Sequence, residues 1–128
     1  MKYYIAIILF SIVRSASAVS FDDCYQNSES TLIQKCTYDN LESIKEEYKK
    51  ERNEFIKGIN DNFDDNAKEV IKYEKYSSKK WQEFIDYQCK MEASAKSEIN
   101  SYGYNIQYGS CMFDFYKDRI EFFHKITE

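Results

Sequence analysis

Apolar positions divide the chain into an amino-terminal block and three periodic stretches. Tyr3 to Val13 runs for eleven residues without a charge. Further on, Ile33, Cys36, Leu41, Ile44, Tyr48, Phe55 and Ile59 recur mostly at steps of three and four, with charged blocks such as Glu46, Glu47, Lys49, Lys50 and Glu51 between them. This period predicts one long amphipathic helix over 31–59, with Ser28 and Ser30 as candidate caps. A second stretch predicts a helix over 67–95 that buries Val70, Tyr73, Trp81, Phe84, Ile85, Cys89 and Ala93, with Glu74 and Gln88 at the margin. A third predicts a helix over 108–126 with Cys111, Met112, Phe115, Arg119, Phe122 and Phe123 on a common side. Residues 60–66 and 98–107 read as turns, the second holding Gly103 among polar residues. Three helices with short connections pack as a small antiparallel, up-down-up bundle, an all-α fold.

Composition supports that reading. The 128 residues include no Pro and only three Gly, so few positions can break a helix. With 43% hydrophobic and 31% charged residues the chain is globular rather than disordered. The uncharged block is too short to span a bilayer, which needs about 20 apolar residues. Preceded by Lys2 and followed by Ala16, Ser17 and Ala18, it has the layout of a signal peptide cut after Ala18. This leaves one domain, 19–128, with no membrane anchor. The box of small residues that precedes a lipid-modified cysteine is missing before Cys24.

Export would take all four cysteines, Cys24, Cys36, Cys89 and Cys111, to an oxidising compartment, where an even count forms two disulfides. Their spacing contains no C-x-x-C pair and no neighbouring His, which argues against zinc and against a redox-active thiol pair. In the predicted bundle all four sit at one end. Pairing Cys24 with Cys36 and Cys89 with Cys111 joins neighbouring parts of one hairpin end; Cys24 with Cys89 and Cys36 with Cys111 is the open alternative.

Charge narrows the class of partner. Loss of Lys2 and Arg14 with the signal leaves 16 basic against 22 acidic residues, a formal charge of −6. This disfavours nucleic acid, whose binders need a basic stripe, and suits a cationic protein partner. The acidic run from Asn60 to Asn66 fits no EF-hand register, since its sixth position is Asp65 or Asn66 rather than Gly, so no metal is expected. His124 is the only His and has no recognisable nucleophile or base partner, so no catalytic residue and no cofactor are assigned. Tyr102, Tyr104 and Tyr108 crowd the second turn beside Gly103 and Gly109, and Tyr is favoured in contact surfaces. They are the candidate partner face.

Several short segments resemble one family. Ser20, Phe21, Asp22, Asp23 and Cys24, then Cys36, Leu41 and Ile44, look like the opening of the LprI-like lysozyme-inhibitor domain. Trp81, Phe84, Asp86 and Cys89 are similar to its second motif, and Cys111, Met112, Tyr116, Arg119, Ile120 and Phe123 to its third. Lys45, Ile85 and Ser78 depart from the family's Asp, Arg and Gln. The resemblance implies a non-enzymatic protein of the bacterial periplasm, or a secreted one, that inhibits lysozyme-type muramidases by occlusion. Among the matched residues Trp81 is expected in the core and Asp86 and Arg119 as an interhelical ion pair. The alternative is a periplasmic structural or accessory module, or a toxin-immunity protein, on the same bundle.

Overall fold

The computed structural model describes residues 21–62 and 65–127. The signal-peptide segment, 1–18, lies outside the described residues. A single turn, α1 (Phe21–Cys24), leads into three long helices, α2 (Ser30–Asn62), α3 (Ala67–Lys96) and α4 (Tyr102–Thr127). Among the described residues there is no strand, and the three helices pack on one another as the apolar period predicts. α4 packs most heavily on α2 and then on α3, while α2 and α3 touch little. The pairing is Cys24–Cys36, which ties α1 to α2, and Cys89–Cys111, which ties α3 to α4. Both bridges lie at the end of the bundle that the spacing indicates. They mark a protein of an oxidising compartment.

α2 buries Thr37, Leu41, Ile44, Tyr48, Phe55 and Ile59. α4 answers with Ile106, Gly109, Met112, Tyr116, Ile120 and Phe123. Between them stands an aromatic cluster: the Tyr48 ring lies 5.2 Å from Tyr116 and 5.5 Å from Trp81, and Phe55 stacks on Phe123 at 4.8 Å. Trp81 is half-buried in this cluster, the core role expected for it.

The helices are longer than their periodicity suggests. α2 runs through Asn60 to Asn62, where Asn62 Nδ2 donates to the Gly58 carbonyl at 2.8 Å, so these residues extend the helix rather than form the turn. Its first turn hangs on the Glu29 carbonyl, which accepts from the Leu32 and Ile33 N–H groups, rather than on a Ser28 or Ser30 cap. α4 begins at Tyr102, six residues before the expected start. Asn100 turns the chain at φ 65°, and Ser101 Oγ caps the helix by accepting from the Tyr104 N–H at 3.1 Å. Tyr102, Tyr104 and Tyr108 therefore lie on the first turns of α4, and Gly103 and Gly109 are inside a helix.

Gly109 has a packing role. A Cβ there would lie 2.6 Å from Thr37 Cγ2, and Thr37 is fully buried. Thr37 cannot swing away easily, because it is stiff at χ1 and its hydroxyl donates to the Ile33 carbonyl at 2.8 Å. The missing side chain sets how closely α2 and α4 approach.

Three inward assignments are corrected. Tyr73, Phe84 and Phe122 are 65%, 57% and 44% exposed. Each stands next to the residue that is buried in its place, Glu74, Ile85 or Phe123, and one residue is about 100° of helix rotation.

Gly109→Ala should lower stability by about 1 to 3 kcal/mol despite the better helix propensity of Ala, as overpacking does. Adding Thr37→Ser, which removes the obstructing methyl, should recover most of the loss in chemical denaturation. Additive costs in the double variant would show that the approach at Gly109 is not limiting.

Candidate functional site

The disulfide end brings together α1, the start of α2, the end of α3 and the start of α4. Cys24 is fully buried, its sulfur accepts from Asn40 Nδ2 at 3.3 Å, and its carbonyl takes a second hydrogen bond from Asn27 Nδ2 at 3.2 Å. Asn105 on α4 donates to Gln34 on α2 at 3.0 Å, across the helices that Thr37 and Gly109 bring together. On the other flank, the Tyr108 hydroxyl donates to Asp86 at 2.8 Å and Lys90 Nζ lies 2.7 Å from the same carboxylate. Hydrogen bonding from Lys90 outweighs the opposing effect of burial and, with the weaker help of the Tyr108 hydroxyl, holds Asp86 below the usual carboxylate range. Burial, then the Asp86 carboxylate, raises the Tyr108 hydroxyl well above its ordinary value, so it stays a donor at any physiological pH.

These contacts divide the predicted tyrosines. Tyr108 is half-buried and committed to Asp86, and Tyr104 stacks on it with ring planes 4° from parallel. Tyr102 is 50% exposed. At the same end Tyr25, Leu32 and Ile99 are exposed, beside the exposed carboxylates of Asp23, Glu29 and Glu98. No Lys or Arg falls within 19–34 or 97–107. This doubly cross-linked end thus presents apolar and acidic side chains together.

The ion pair expected between Asp86 and Arg119 does not form. Asp86 is taken by Lys90 and Tyr108, while Arg119 Nη2 donates to Ser77 Oγ at 3.1 Å. The Arg119 guanidinium lies 4.8 Å from the Phe122 ring centroid and 5.4 Å from those of Trp81 and Phe123. Aromatic faces take the place of a carboxylate. Tyr116, the remaining matched residue, is buried in the aromatic cluster.

A buried ion pair exists elsewhere. Arg52 on α2 clamps Glu74 on α3 through Nε at 2.7 Å and Nη2 at 2.8 Å, and Ser78 Oγ also donates to Glu74. The Glu74 side chain is 5% exposed and that of Arg52 28%. Burial alone would raise the Glu74 pKa, but the hydrogen bonds from Arg52 and Ser78 outweigh it and hold the carboxyl below its ordinary value. The apolar period places Glu74 only at the margin of the α3 core. The available signal was positional: Arg52 falls in the series Tyr48, Arg52, Phe55, Ile59, and Glu74 in the series Glu74, Ser78, Ile85, Cys89.

Other chemistry is sparse. His124 Nε2 lies 2.7 Å from Glu51 at an exposed position beside a cleft of about 580 Å³ between α2 and α4. The hydroxyl of Thr127 at that cleft donates to the Phe123 and His124 carbonyls. Among the described residues no three His, Cys, Asp or Glu side chains are grouped to hold a metal, and no helix is long and apolar enough to cross a membrane. No family model, curated protein or solved structure matches the chain.

Glu74→Gln should cost about 2 to 3 kcal/mol at neutral pH, less than a fully buried pair would because Arg52 reaches solvent. A carboxyl with a depressed native pKa stabilises the fold above its unfolded value near 4.5 and loses that stabilisation as pH falls through the native value. The variant's stability curve should therefore converge on the parent's as pH drops below about 4.5. Parallel curves down to acid unfolding would show that Glu74 is not the titrating group.

Proposed function

We propose that the protein is exported through cleavage of residues 1–18 and acts, in the periplasm or outside the cell, as a non-enzymatic binding protein. Its partner is a cationic protein, and the LprI-like resemblance makes that partner a lysozyme-type muramidase, inhibited by occlusion. The observation that carries this reading is the disulfide-braced end, where exposed Tyr25, Leu32, Ile99 and Tyr102 stand among Asp23, Glu29 and Glu98. Exposed apolar anchors together with exposed carboxylates suit a basic protein surface: the anchors exclude water and the charges speed encounter. Two disulfides hold the face in shape before contact, which lowers the ordering cost of binding. The formal charge of −6 on residues 19–128 acts in the same direction at longer range.

Oxidised protein lacking residues 1–18 should slow wall lysis by at least one of the c-type, g-type and bacterial lysozymes. Inhibition should persist at ~0.15 M salt, where screening limits surface charge to about 8 Å. Tyr25→Ala with Tyr102→Ala should weaken inhibition at least about tenfold, the effect of losing two contact anchors, and leave the melting temperature unchanged. Inhibition that vanishes at the higher salt, or in no enzyme occurs at all, would favour the accessory or immunity role.

A further inference from the structure

The outward face of α3 has a different character from the disulfide end. Helix α3 carries seven Lys against five acids, and five of the lysines, Lys68, Lys72, Lys75, Lys79 and Lys80, fall in its first half. Glu74, one of the two acids there, is already consumed by Arg52. Lys72 lies 3.7 Å from Glu69, and Lys80 lies 3.2 Å from Glu83 in the next turn. Lys68, Lys75 and Lys79 have no acidic partner among the described residues. The helix N-terminus itself adds a partial positive charge, so these cations raise a potential that is already positive. An otherwise acidic protein carries a cationic face here.

The same face is aromatic. Tyr73, Tyr76, Phe84, Tyr87 and Met91 are all more than half exposed, Tyr87 at 73%. Their steps of three, eight, three and four place them along one side of the helix over about 27 Å. Two concavities flank the basic half. One, a shallow depression of about 530 Å³, is formed by Lys68, Lys72 and Lys75 with Ile71 and Tyr76. The other, about 250 Å³ between α3 and α4, is largely apolar and is walled by Tyr73, Val70, Phe122 and Ile126, with Arg119 among its lining. Cationic and apolar recesses therefore lie on either side of the same turns of α3.

We propose that this face docks on the surface of a bilayer containing anionic phospholipid. The lysines would meet phosphate headgroups, while Tyr76, Tyr87, Phe84 and Met91 enter the boundary between headgroups and acyl chains. Amphipathic aromatic rings and long cationic side chains partition to that depth. Beyond Lys80 either a polyanionic strand or a bilayer would meet Glu83 and Asp86, but only a bilayer offsets them by taking up the exposed Phe84 and Met91 as apolar insertions. A straight ladder on one helix matches a plane, and the apolar half contributes without needing charge.

The test is co-sedimentation of the oxidised protein, lacking residues 1–18, with vesicles of phosphatidylcholine alone and of phosphatidylcholine mixed with phosphatidylglycerol. Binding is expected only to the mixed vesicles and should fall with added salt. Lys68→Gln, Lys72→Gln and Lys75→Gln together should weaken it about a hundredfold, at about 1 kcal/mol for each cation near an anionic surface. Tyr76→Ser with Tyr87→Ser should weaken it about tenfold, and since all five side chains are exposed, unchanged circular dichroism and melting temperature are expected. Equal binding to the neutral vesicles, or undiminished binding by the lysine variant, would overturn the proposal. So would displacement from vesicles by a single-stranded oligonucleotide that the tyrosine variant binds as well as the parent. Lysozyme is absent from this assay, and the lysine variant should still inhibit, so failure here leaves the muramidase reading standing and the converse holds too.

Discussion

The approach of α2 and α4 at Thr37 and Gly109 governs the rest of the molecule. With no side chain on Gly109 and a locked methyl on Thr37, the two helices meet at a fixed separation. Below that point they stay close enough for Leu41, Ile44 and Tyr48 to interleave with Met112, Tyr116 and Ile120. Helix α3 is then held from the side: by Cys89–Cys111 at one end, by Trp81 against Tyr48 and Tyr116 in the middle, and by Glu74 in the Arg52 clamp further down. Each attachment uses a different interaction. Few direct contacts between α2 and α3 are needed, because α4 and the clamp connect them.

What periodicity reveals is which residues can share a face, and this made the three helices and the α2 core legible from the sequence alone. Its resolution ends at neighbouring residues. Tyr73 and Phe84 look like core because they are large and apolar, yet Glu74 and Ile85 occupy the inner positions beside them. Gly103 looks like a turn residue for a similar reason, and Gly109 stands just past the same predicted turn. Glycine marks either a bend or a close contact, and only the neighbouring helix decides between them. Here Ser97 and Thr37 supply the contacts.

Polar partners are less legible in the sequence than apolar faces. Adjacent helices and opposite charges make Asp86 and Arg119 look like partners. Lys90 one turn along α3 and Tyr108 on α4 reach Asp86 instead, and aromatic rings enclose Arg119. Net charge concealed a division as well. The excess of acids lies largely outside α3, which is itself net positive, so the chain offers an acidic end and a basic flank to different surroundings. The disulfide end was located by the cysteine spacing, but which of its tyrosines remain available depended on Tyr108 being bonded to Asp86.

Both disulfides join cysteines that are consecutive in the chain, the first pair separated by 12 residues and the second by 22. A chain that reaches an oxidising compartment amino terminus first presents Cys24 and Cys36 together before Cys89 has arrived. The first bond can close with its correct partner as the only candidate, and the second pair then meets no competing thiol. For a chain that entered in this way, order of arrival would select this connectivity out of three, and oxidative folding would have no wrong bridge to undo.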